Sequence, residues 1–155
     1  EALRDAAVRF EDVTGKQPVV FLATLGSLAQ FSARATWSSN AFAAGGFRTV
    51  EAGEVSSIDD LVAAYTNSGA KLACLVSSDG VYETTAISAA EALRAAGVRH
   101  LYLAGRPGER ETERNNAGVG SFLFAGGDLL ALLRDAHNRL AEAEGLAPTD
   151  GEVLS

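Results

Sequence analysis

Two continuous apolar runs constrain the fold of this chain more than any other feature. Val19-Val20-Phe21-Leu22 and Leu72-Ala73-Cys74-Leu75-Val76 are unbroken by polar residues and too short for buried helices. Such runs mark strands covered on both faces, the signature of a parallel sheet sandwiched by helices. Leu101-Tyr102-Leu103 and Ser121-Phe122-Leu123-Phe124 repeat the pattern, and Arg48-Thr49-Val50-Glu51 is a weaker, alternating strand nearer an edge. Helical segments separate the five strands, which recur about every 25 residues. Right-handed crossovers then favour a flavodoxin-like (Rossmann-like) α/β fold, a five-stranded parallel sheet of order 2-1-3-4-5 with helices on both faces.

The intervening helices carry their own punctuation. Ala33, Trp37, Ala41 and Ala44 share one face of the first sheet helix, which Gly45-Gly46 stops. Ser57 and Asp60 form a capping box ahead of Ile58, Leu61, Val62 and Tyr65. Asp128 is placed to cap a last helix that buries Leu129, Leu132, Leu133, Ala136 and Leu140.

Composition excludes several functional classes. A net charge of −7 argues against a nucleic-acid surface, and no apolar run is long enough to span a membrane. The single cysteine, Cys74, lies in a core strand and reads as a buried thiol, in keeping with a reducing, cytoplasmic compartment. The chain contains no Met, and its first segment, EALRDAAVRFEDV, is helical from the outset. We therefore expect a piece of a longer protein: residues 1–16 a linker helix from a preceding domain, 17–145 the sheet domain, and 146–155 a tail.

Ligands of such sheets sit at the loops beyond the carboxyl ends of the strands. Here these loops are Gly26 to Ser32, Ser77 to Tyr82, Gly105 to Gly108 and Gly126 to Asp128. The first holds no acid, base or histidine, and Gly26 has no partner glycines for a dinucleotide fingerprint. Asp79 invites comparison with a phosphoacceptor, but the acids that would hold magnesium after the first strand are replaced by residues such as Leu28 and Gln30. His100 falls on the opposite edge and His137 on the last helix, partly exposed, neither at metal-ligand spacing. Arg34 and Trp37 suit packing or a subunit contact, and the charged stretch from Arg106 to Arg114 suits a solvated face. These residues assemble no active site.

The segments VVFLATLGSLAQFSARATWSSNAFAAGGF, LACLVSSDGVY and FLFAGGD nevertheless form a distinctive set. From about Lys16 to Leu140 the chain resembles the C-terminal cobalamin-binding-like domain of methylmalonyl-CoA mutase, specifically that of its small subunit. Members that hold cobalamin carry Asp-x-His-x-x-Gly in the first loop. There the histidine ligates cobalt, the aspartate orients it, and the glycine makes room for the nucleotide tail. Counted from Gly26, those positions fall on Leu28, Gln30 and Ala33. Ser77-Ser78 matches the serine motif after the third strand, with Asp79 where leucine is usual. Ala104-Gly105 stands for a Gly-Gly pair, and Gly126-Gly127 resembles the turn bordering the tail.

The resemblance implies an isomerase subunit without an active site of its own, no cofactor in this chain and adenosylcobalamin in a large partner subunit. It also implies a TIM-barrel domain ahead of this one. The alternative is a working small-molecule module for base-on cobalamin or a nucleotide, anchored by Ser77, Ser78, Gly126 and Gly127.

Overall fold

A computed structural model describes residues 2–146. Five strands, β1 (Val19–Thr24), β2 (Arg48–Glu51), β3 (Leu72–Val76), β4 (His100–Ala104) and β5 (Ser121–Leu123), form one parallel sheet in the order β2-β1-β3-β4-β5. The expected architecture and strand order are both found. Helices α1 (Ala2–Thr14), α2 (Leu28–Ala44), α3 (Ile58–Ser68), α4 (Asp79–Ala95), α5 (Glu111–Ala117) and α6 (Leu129–Ala143) cover it.

Alternate residues of each central strand feed two separate cores. Val20 and Leu22 of β1, with Cys74 and Tyr102, pack against Phe31, Phe42, Leu133 and Leu140 on the α2/α6 face, where Leu3 and Phe10 of α1 join them. Phe21 and Ala23, with Leu75 and Leu103, pack against Leu61, Tyr65, Ala86 and Leu93 on the α3/α4 face. β3 and β4 are fully buried and β2 is a partly exposed edge, as the apolar runs predict. Cys74 is fully buried, and burial raises its thiol pKa well above the ordinary value.

Local signals hold in part at the helix ends, with the Ser57 half of the expected capping box formed. Ser57 Oγ accepts from the Asp60 N–H at 3.1 Å, and Asp128 Oδ1 from the Ala131 N–H at 3.0 Å. Beyond Leu146, whose N–H donates to the Ala141 carbonyl at 2.7 Å, the expected tail lies outside the described residues.

Two expectations are corrected. The buried face of α2 is Phe31, Ala35, Ser38 and Phe42, rather than the face of Ala33, Trp37, Ala41 and Ala44. The rings of Phe31 and Phe42 claim the core, which turns Trp37 toward the helix flank. His137 is buried, not partly exposed: its Nε2 lies 2.7 Å from the Gly45 carbonyl oxygen, and its ring packs on Phe47 at 4.3 Å. Burial pushes its pKa down, opposed by that carbonyl contact.

His100 is buried at the amino edge of the sheet, with Nε2 2.7 Å from Ser121 Oγ. Burial and then Arg139 push its pKa down to about 4 from 6.5, with Asp135 opposing and Arg94 adding to the depression. The unfolded chain therefore takes up a proton between pH 6.5 and about 4 that the folded chain does not. Stability is lost as pH falls through that window, by about 3 kcal/mol when the shift is fully expressed. Thermal melts at about pH 7 and about pH 4.5 are expected to show this loss, and His100→Gln to reduce it. Equal pH sensitivity of the two proteins would contradict the assignment.

Candidate functional site

The carboxyl ends of β3, β4 and β5 open onto a cleft of about 1080 Å³ between α2 and the loops after β4 and β5. Ligand clefts of open α/β sheets occur at this edge. Of the positions singled out from the sequence, Gln30, Ala33, Ser77, Ser78, Asp79 and Gly105 line it. Leu28, Gly126 and Gly127 do not. Leu28 is exposed on the first turn of α2, where its N–H donates to Glu54 Oε2 at 2.6 Å.

Gln30 is committed to its own helix. Its Oε1 accepts from the Ser27 N–H at 2.8 Å, satisfying a backbone donor before the first turn of α2. The preceding loop turns at Gly26, φ +80°, and a Cβ there would lie 2.4 Å from that same oxygen. An amide oxygen held this way is a capping group, poorly suited to ligate a metal. Among the described residues, no group of three or more His, Cys, Asp or Glu side chains is placed to hold a metal ion.

Tyr82, which the sequence reading did not single out, organises the floor. The Ser77 N–H donates to its hydroxyl at 3.0 Å, and the hydroxyl donates to the Ala104 carbonyl at 2.7 Å. One buried phenol thus ties the ends of β3 and β4 together. Burial raises its pKa well above the ordinary value, so it remains a neutral donor. Ser77 Oγ donates to the Leu25 carbonyl at 2.7 Å and extends the tie to β1.

Arg34 lines the cleft, where it packs near the Tyr82 ring and bridges to the start of α4. Its Nη1 donates to the Ser77 carbonyl at 2.8 Å and to Asp79 Oδ1 at 2.9 Å, and its guanidinium lies 5.6 Å from the Tyr82 ring. Partial burial opposes its charge, but the hydrogen bond to Asp79 and the nearby Tyr82 leave its pKa raised overall. Asp79 therefore opens α4 as an ion-pair partner instead of forming a simple turn.

The stretch from Arg106 to Arg114 is mostly exposed, as expected of a solvated face, but it also forms one wall of the cleft. Arg106, Arg110 and Arg114 all line the cleft, and Arg114 is buried. Arg110 and Arg114 both pair with Glu83 of α4, at 3.0 and 3.3 Å. Sequence position hides this arrangement, because Glu83 and the two arginines lie on different elements.

No protein-family model matches the chain. The methylmalonyl-CoA mutase small subunit of Streptomyces virginiae is 38% identical over 143 residues, which is 92% of this chain and 22% of that protein. This chain is a domain-sized homologue of methylmalonyl-CoA mutase small subunits. The small subunits of Propionibacterium freudenreichii subsp. shermanii (40% identity over 58% of this chain and 14% of that protein) and Porphyromonas gingivalis (36% over 69% and 16%) agree. The chain thus spans less than a quarter of the length of the small subunits it matches. Among the described residues no helix is long and apolar enough to cross a membrane.

Proposed function

We propose that this chain is a cobalamin-binding-like domain of a methylmalonyl-CoA mutase small subunit whose own cobalamin site is degenerate. In this reading the domain does no chemistry. It stabilises a heterodimer with the large subunit, which holds adenosylcobalamin and carries the isomerisation of methylmalonyl-CoA and succinyl-CoA. A TIM-barrel domain precedes it in the complete subunit, and the protein works in the cytoplasm.

The observation that carries the reading is the use of Gln30. At the position where cobalamin-holding relatives place the cobalt ligand, its amide oxygen caps α2. Leu28, at the orienting position, offers no acceptor and is exposed, and Ala33 adds a methyl group at the third position. These residues do not fit cobalamin with a protein-derived lower ligand.

Gln30→Ala in the full-length subunit is the direct test. It removes one capping acceptor at an exposed site, which costs about 0.5–1 kcal/mol of stability. The assembled enzyme is expected to keep nearly all of its turnover. Loss of turnover with assembly intact would show that Gln30 serves the reaction and overturn the reading.

A further inference from the structure

The cleft has a feature that the missing cobalt ligand does not explain. Four arginines (Arg34, Arg106, Arg110 and Arg114) converge on it, against three carboxylates, Asp79, Glu83 and Glu109. The lining is therefore one positive charge in surplus, within a chain of net charge −7. Arg34 is balanced by Asp79, Arg114 pairs with Glu83, and Arg110 pairs with both Glu83 and Glu113, the latter outside the lining.

Arg106 is different. Among the described residues no carboxylate lies within ion-pairing distance of it. It is held instead by the Phe124 ring, 4.9 Å from its guanidinium, and by the Ala125 carbonyl at 3.4 Å. Gly126 leaves room beside it, since a Cβ there would sit 3.8 Å from Nη2. An arginine parked on an aromatic ring at a cleft rim retains N–H donors for a planar or tetrahedral anion. Trp37, on the α2 side of the same cleft, adds half-buried aromatic surface.

We propose that this cleft binds a small organic anion: a phosphate or carboxylate head at Arg106, with an apolar or planar body against Trp37 and Phe124. Arg34 and Arg114, each 5.6 Å from the Tyr82 ring and each ion-paired, form the floor beneath the anion. Arg106 sets affinity for the head group. This inference is independent of the cobalamin reading, because it uses none of the residues at the cobalt-ligand positions.

The chain provides its own reporter, since Trp37 is the only tryptophan. Phenyl phosphate and benzoate are titrated against the 155-residue chain, with phenol as the neutral control. Trp37 emission and calorimetry are read in parallel, after circular dichroism has shown a folded protein. At least one anion is expected to bind saturably, more weakly at higher salt, and phenol not to bind. Which anion binds identifies the head group.

Arg106→Ala is expected to weaken binding about tenfold, the effect of losing a charge-assisted hydrogen bond. Arg139→Ala, a charge removed outside the cleft lining, is expected to leave it unchanged. Absence of saturable binding by both anions in both readouts overturns the proposal. So does phenol binding equal to that of the anions, or equal affinity in Arg106→Ala and the parent chain. Cobalamin binding by the small subunit would refute the degenerate-site reading without touching this result.

Discussion

Phe42→Ala is expected to destabilise the chain by about 3–5 kcal/mol, the range for removing a buried aromatic ring. Phe42 is fully buried on the inner face of α2, between the ring of Phe47 at 6.0 Å and that of Tyr102 at 5.6 Å, both met edge to face. These two rings come from β4 and from the turn before β2, so removing Phe42 strips edge-to-face partners from both. Trp37→Ala provides the contrast, because that ring lies on the half-buried flank of α2 and its loss is expected to cost less. Thermal unfolding should place Phe42→Ala about 6–20 °C below the parent chain. A smaller loss for Phe42 than for Trp37 would mean that α2 packs through its other face.

Tyr82→Leu should have an effect of similar size, for a different reason. The hydroxyl occupies the junction of β3 and β4, accepting from the Ser77 N–H and donating to the Ala104 carbonyl. Without it those two backbone groups lose their partner, at about 1–3 kcal/mol for each buried group left unsatisfied. The ring also lies 5.6 Å from the guanidinium groups of both Arg34 and Arg114, so its removal withdraws aromatic support from two cations on the cleft floor. We expect a total loss of about 3–5 kcal/mol. Tyr82→Phe, which keeps the ring, should cost about 2 kcal/mol. Chemical denaturation of both variants reads the two contributions separately. Equal stability of Tyr82→Phe and the parent would show that the hydroxyl is not part of the strand tie.

The sheet was legible in the sequence because its central strands are buried on both faces. Residues such as Leu72 to Val76 must then be apolar without interruption, and no surface helix reads that way. The caps at Ser57 and Asp128 were legible because their partners lie within one turn. Alanine weakened the reading of α2. Ala33, Ala41 and Ala44 fit either a core or a flank, and the large rings of Phe31 and Phe42 decide the face. Long-range pairing accounts for the remaining differences. His137 is buried because the Gly45 carbonyl, on a distant turn, meets its ring nitrogen. Arg114 is buried because Glu83 of α4 meets it. Neither partner lies near its mate in sequence, so local patterning marks both residues as exposed.

The same limit applies to the cleft. Its position at the carboxyl edge followed from the strand order alone. Its charge did not, because the arginines come from α2, the loop after β4 and α5 and meet only in the folded chain. Positions matched to a motif locate a pocket; the hydrogen bonds at those positions decide what it can hold. Gln30 as a cap and Arg34 as a bridge to Asp79 are what distinguish this cleft.

The central claim is that this domain belongs to a small subunit which no longer holds cobalamin itself. An absorbance titration of the purified full-length small subunit, alone and with its large partner, using adenosylcobalamin and hydroxocobalamin, tests it most directly. The account predicts no spectral shift with the small subunit alone and a single cofactor per heterodimer with the pair. Saturable binding by the small subunit alone, with the spectrum of base-on cobalamin, would contradict it.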